Sequence, residues 1–207
     1  MALVKAPLFG LDASGALGDS IVFSKWRGRN YVRILTQPAN PRSGLQVGMR
    51  SVFKYITQAW AGIGAALQTE WEGEAQADNI TGLNAQVRVT QRLARRNIGW
   101  VKGPTESAGT TPDAPTALGG TAQPKTIVWD WTRPGVNQGD YTTAFYMFTT
   151  TSFTADISNL VAVVPVATTT VTIIKLITGT EYFAVCREMN TDGEFGALAT
   201  EASATPT

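Results

Sequence analysis

The stretch from Leu176 to Gly193 limits the fold of this chain more than any other. Gly179-Thr180 makes a tight turn ahead of a run in which Tyr182, Ala184, Cys186 and Glu188 alternate with Phe183, Val185, Arg187 and Met189. Side chains of a strand point to opposite faces in turn, so the first four share one face and the second four the other. Asp192-Gly193 then turns the chain back. Such a hairpin belongs at the end of an all-β domain.

The remainder of the 207 residues is divided by charge. Up to Gly103 there are 13 Lys+Arg and 6 Asp+Glu, a balance of +7, and from Pro104 onward 4 and 10, a balance of −6. With 43% hydrophobic and 16% charged residues the chain suits two small globular domains and not a disordered tail.

A single cysteine, Cys186, and no histidine exclude an internal disulfide, Ser-His-Asp and Cys-His catalysis and ordinary zinc sites together. No run of about 18 apolar residues marks a membrane span. The opening Met1-Ala-Leu-Val-Lys-Ala-Pro lacks the apolar core of a signal peptide, so synthesis and folding in a cytoplasm are expected. Gly10, Gly15 and Gly18 lie in an expected loop or arm, Ala6 to Gly18, without the Gly-Lys-Ser/Thr of a P-loop or the spacing of a dinucleotide fingerprint.

Asp19–Trp26 and Tyr31–Thr36 read as paired strands around an Arg27-Gly-Arg-Asn30 tip. Pro38 and Pro41 cannot continue a sheet, and Ser43 stands where a helix cap is wanted. From there Leu45, Met49, Val52, Phe53, Ile56, Trp60, Ile63, Leu67 and Trp71 fall within an arc of about 100° on a helix, predicting one buried stripe. Gly62 and Gly64 each cost about 1 kcal/mol against alanine and predict a break into two helices. A third helix is predicted from Leu83 to Ile98, with Leu83, Val87, Val89, Thr90, Leu93, Ala94 and Ile98 on one side and Arg88, Arg92, Arg95 and Arg96 on the other.

Residues 104–111 read as a linker between two domains. The expected organisation is therefore an α+β domain at 1–103, a β-hairpin with amphipathic helices, followed at 112–207 by an all-β sandwich of about seven strands. The sandwich markers are Pro112-Asp-Ala-Pro115, Trp129-Asp-Trp131, Ala144-Phe-Tyr-Met-Phe148, Thr168 to Ile174 and a closing strand from Ala199 to Thr205. With Leu176 six residues before Tyr182 and Gly-Thr-Glu between them, these markers resemble the immunoglobulin-like sandwich of fibronectin type III domains and its tyrosine corner. That resemblance covers essentially all of 112–207 and implies a fold, not a function.

The N-terminal half, in Gly15-Ala-Leu-Gly18, Ile21 to Arg33, Pro38-Ala-Asn-Pro41, Gln46, Arg50, Phe53 and Trp60, resembles a family of small tailed-phage and prophage proteins presumed to be virion components. It implies a virion protein without specifying which. With the two-domain plan, the opposite charges of the halves and the lack of catalytic residues, the expectation is a non-enzymatic bacteriophage structural protein, made in the host cytoplasm and located in the virion, with capsid decoration as the first placement. The 1–103 domain would anchor it to capsid or tail proteins in a homo-oligomeric or otherwise symmetric assembly, and the sandwich would be displayed.

The candidate assembly interface comprises Trp26, Arg27 and Arg29 at the hairpin tip and Arg88, Arg92, Arg95 and Arg96 on the third helix. Trp with Arg is a common hot-spot pairing. A basic stripe without a reading motif argues for acidic protein neighbours ahead of nucleic acid. The alternative is a carbohydrate- or cell-surface-binding module of a tail, neck or fibre, with Trp131 and Tyr141 presented to host surface glycans. Glu70, Glu72, Glu74 and Asp78 read as a solvated face and not as an acid/base pair. No cofactor, metal, membrane contact or catalytic residue is expected.

Overall fold

The computed structural model describes residues 2–3, 15–17, 20–36, 42–105 and 110–207. The chain forms two compact units, Met1–Pro41 and Arg42–Thr207.

The first unit is a four-stranded antiparallel sheet of β1 (Ala2–Leu3), β2 (Gly15–Leu17), β3 (Ile21–Trp26) and β4 (Arg29–Ile34) in the order β1-β4-β3-β2. The hairpin pairs Ile21 with Ile34 through to Trp26 with Arg29. Its two-residue turn has Arg27 at φ 48° and Gly28 at φ 79°, a left-handed pair whose twist matches that of the strands. The expected loop from Ala6 to Gly18 thus contains a strand, Gly15–Leu17, because its backbone completes the open edge of β3. The rest of that segment and the Pro38–Pro41 turn lie outside the described residues.

The second unit begins with α1 (Gly44–Ala59), a 3₁₀ turn at Trp60–Gly62, α2 (Ala65–Gln76) and α3 (Gly82–Ala94). The break falls at the two glycines, and Gly64 takes φ +93°, a conformation that favours glycine. Ser43 makes no side-chain cap to α1, whereas the Asn84 N–H donates to Thr81 Oγ1 (3.4 Å) to cap α3. α3 ends at Ala94, four residues short of the predicted limit, and Ile98 is 53% exposed. Leu45 and Phe53 of the predicted stripe are also exposed.

Seven strands follow: β5 (Thr116–Gln123), β6 (Thr126–Thr132), β7 (Thr142–Phe148), β8 (Leu160–Pro165), β9 (Thr170–Ile174), β10 (Tyr182–Met189) and β11 (Ala202–Ala204). They make two antiparallel sheets, β5-β6-β9 and β11-β10-β7-β8. Between the sheets Ile127, Trp129, Trp131, Phe145, Met147, Tyr182, Ala184 and Cys186 form one core. The Ile177 N–H donates to the Tyr182 hydroxyl (3.1 Å), closing the corner read from the sequence.

The four-stranded sheet is buried on its other face too. Tyr141, Ala144, Tyr146, Leu160, Val185 and Met189 pack with Val52, Tyr55 and Ile56 of α1 and with Trp100 in a single second core. A third, smaller core around Ile63, Trp71, Ala75 and Ala85 joins α2 to α3. The layers are therefore sheet, sheet and helices.

This arrangement corrects the expected boundary at 104–111. The compact units divide between Pro41 and Arg42: α1 and α3 share a core with the sandwich, and α2 packs on α3. The residues that flank the supposed linker are docked: the Trp71 indole (2.9 Å) and the Gln86 amide (3.1 Å) donate to the Lys102 carbonyl, and the Lys102 N–H donates to the Thr191 carbonyl (2.9 Å). Gly103 and Pro112 are buried.

Candidate assembly surface

The candidate residues occupy both compact units. Arg27 and Arg29 are exposed at the β3–β4 turn of the first. The Trp26 side chain lies outside what the structure describes. Arg88, Arg92, Arg95 and Arg96 belong to the second unit, where α3 and the turn after it place them along one groove with Asn84, Val87 and Gln91. Spacings of four, seven and eight residues bring all four guanidinium groups to one side of a helix.

The α3 sequence contains no Asp or Glu. Arg88 reaches out of the helix to Asp78 (2.6 Å), with both side chains about half exposed. Arg92, Arg95 and Arg96 are exposed, and their side chains have no ion pair or hydrogen bond among the described residues. Like charges at four-residue spacing, as in Arg88/Arg92 and Arg92/Arg96, repel by about 0.2–0.5 kcal/mol per pair. The groove is thus a surface that an anionic partner would stabilise.

Trp131 and Tyr141, the residues of the carbohydrate reading, are 4% and 6% exposed and cannot present a face to a sugar. Trp131 shares the inward side of β6 with Ile127 and Trp129, since residues two apart on a strand share a face, and it stacks on Phe145 at 5.8 Å. Tyr141 meets Tyr55 edge to face at 5.7 Å, and its carbonyl accepts the Tyr55 hydroxyl (3.3 Å). Trp129 and Trp131 both lie in the core between the sheets.

The acidic residues are distributed as solvated groups. Glu70 accepts from the Thr105 hydroxyl (2.5 Å), Asp78 holds Arg88, and Glu72 and Glu74 are exposed. Among the described residues no group of three His, Cys, Asp or Glu could hold a metal ion, and no helix is long and apolar enough to cross a membrane. Cys186 is buried, and its thiol is pushed up to about 12 by burial first and by the nearby Glu188 charge second.

Sequence reasoning missed a buried ionic clamp at one end of the sandwich. Glu188 is fully buried; it accepts from Arg133 Nε (2.8 Å) and from the Gly139 N–H (2.6 Å), while Arg133 Nη2 donates to the Gly139 carbonyl (2.6 Å). The signal was present: the β10 alternation puts Glu188 in the inward row with Tyr182, Ala184 and Cys186, and a carboxylate there needs a cation. A second arginine, Arg187, lies on the helix side of the sheet. It covers the Phe195 ring at 3.6 Å and donates to the Tyr146 hydroxyl (2.9 Å).

No family model matches the chain, and no curated relative is found. Similar solved structures include a beta-1,2-glucanase from Parabacteroides distasonis, at 14% identity and a TM-score of 0.42, covering 50% of this chain and 14% of the glucanase. A Fn3-like protein from Clostridium thermocellum is 19% identical at a TM-score of 0.35, covering 47% of this chain and 96% of that one. The FN1-FN3 domains of chicken CNTN1 are 13% identical at a TM-score of 0.40, with 49% and 33% covered. The chain thus spans about a seventh of the glucanase and a third of the CNTN1 domains. All three TM-scores lie below 0.5, so the sandwich is defined by its own strand order and corner.

Proposed function

We propose that this chain is a non-enzymatic structural protein of a tailed-phage virion, an accessory or decoration protein of the capsid, held in place by its first compact unit. One observation carries the reading. The hairpin register puts Ile21, Phe23, Val32 and Ile34 on a single face of the first sheet, yet none of residues 20–25 and 27–36 is buried, and Ile34 is 78% exposed. A hairpin whose apolar face stays unburied gains its stability from what it packs against. Neighbouring subunits supply that in an assembly.

The exposed Arg27 and Arg29 at the tip of the same sheet and the resemblance of Gly15 to Trp60 to phage structural proteins support the same reading. Relative to the sequence expectation the anchor is smaller. It is the sheet of Met1–Pro41, and the helices belong to the body that it carries. The carbohydrate reading loses both of its residues to the cores.

Mass spectrometry of virions purified from the phage or prophage that encodes the chain tests the proposal. Finding the chain at a copy number matching a capsid symmetry is the expected result. Its absence from intact particles removes the reading.

A further inference from the structure

We propose that the arginine groove of α3 docks onto the acidic loop end of the sandwich of a second copy of this chain. The inference concerns the second compact unit and does not depend on a virion location.

The groove is built from Arg88, Arg92, Arg95 and Arg96, three of them without an anionic partner among the described residues. The unit that carries it is not basic: residues 42–207 hold 12 Lys+Arg and 14 Asp+Glu, a net −2. Long-range attraction to a nucleic-acid polyanion is therefore weak, and the groove suits a short-range partner that presents a few carboxylates. The same unit offers one. Asp140 and Glu194 are exposed, and the segments that bear them both bond to residues at the end of β10. The Gly139 N–H donates to Glu188 on β10, Glu194 accepts from Asn190 at the end of that strand, and the Thr111 hydroxyl also donates to Glu194 (3.4 Å).

The segment that follows α3 lies against one of these loops. α3 leads through Gly99, packed directly on the Gly193 carbonyl, to the turn carrying Asp192 and Glu194. Within one copy this proximity forms no ion pair between Arg92, Arg95 or Arg96 and these carboxylates. A patch that is basic on one side and acidic on the other is self-complementary across a two-fold axis, each groove taking the partner's loops.

The test uses the full chain in sedimentation velocity at low and high salt. The wild type is expected to self-associate reversibly at low salt and to dissociate as salt rises. Arg92→Glu/Arg95→Glu/Arg96→Glu and Asp140→Lys/Glu194→Lys should each weaken association by about tenfold or more. An equimolar mixture of the two variants should restore it, because the reversed charges then face each other; this also shows that both variants are folded.

A wild type that stays monomeric at every salt and concentration overturns the proposal. So does a mixture that fails to recover, and so does groove-dependent binding of a single-stranded DNA 20-mer with no self-association. Association that survives the arginine changes but is lost in Phe23→Ser/Ile34→Ser overturns the proposal and leaves the first-unit anchor standing.

Discussion

The Ser51 hydroxyl of α1 donates to the Val161 carbonyl of β8 across 2.9 Å. β8 is an outer strand of its sheet, and here a helix residue takes up one of its backbone acceptors. Covering an edge in this way removes a site where another strand could pair. It also makes the helices part of the sandwich's stability.

A fragment of residues 112–207 should therefore fail as an independent domain. It would uncover Tyr141, Tyr146, Leu160, Val185 and Met189, which pack against α1 and its neighbours. At about 1.5–3 kcal/mol for each large side chain, the loss rivals the roughly 5–15 kcal/mol that holds a domain folded. Residues 42–207 should melt in one cooperative transition by circular dichroism. The shorter fragment should bind a hydrophobic dye or aggregate, and a sharp, reversible transition from it would contradict the shared core.

Two glycines should respond to alanine in opposite directions. A Cβ on Gly48 would lie 2.0 Å from the Ile157 carbonyl, so α1 would have to lift from the loop beneath it. Gly73 in α2 has nothing within 4 Å. Gly73→Ala should stabilise by about 0.5–1 kcal/mol through helix propensity. Gly48→Ala should cost about 1–3 kcal/mol despite the same propensity gain. Urea midpoints of the two variants check the signs.

The Arg133–Glu188 clamp should behave as a unit. Arg133→Leu leaves a fully buried carboxylate with only the Gly139 N–H, at a cost of about 3–5 kcal/mol. The double variant Arg133→Leu/Glu188→Leu should lose less than the single one, since no uncompensated charge remains. A double-mutant cycle in denaturant gives the coupling, and additive losses would show that the clamp is not one.

Alkali should weaken the fold in a defined window. Burial pushes the Tyr55 hydroxyl from 10.0 up to about 12 and, with help from Glu188, the Cys186 thiol from 9.0 up to about 12. Both groups hold their proton more tightly when folded, so the unfolded chain binds fewer protons between the two values. The stability they contribute is whole below about pH 9 and falls by a few kcal/mol as pH rises towards 12. Tyr55→Phe and Cys186→Val should each flatten that slope in urea titrations. The native thiol should resist a disulfide reagent at pH 8 and react once the chain is unfolded.

Elements governed by local rules were legible in the residues alone. Period-two alternation placed β10 and both of its faces, and Gly28 marked a turn that needs positive φ. Gly62 and Gly64 located the helix break, and the Leu176–Tyr182 spacing signalled the corner. Each depends on neighbours a few positions apart, and such rules require no knowledge of the fold.

Only the tertiary structure decided what lies against what. In β7, Phe145 and Met147 face one core and Ala144 and Tyr146 another. That pattern announces burial on both sides without naming the second cover. The cover is α1, about 90 residues earlier, admitted by Gly44 and Gly48 where its backbone meets Ser158 and Ile157. Arg133 and Glu188, 55 positions apart, likewise meet only once the sheet is assembled. Alternation and propensity record which faces are apolar, but pairing between distant faces depends on shape and close approach, and these exist only in the folded chain.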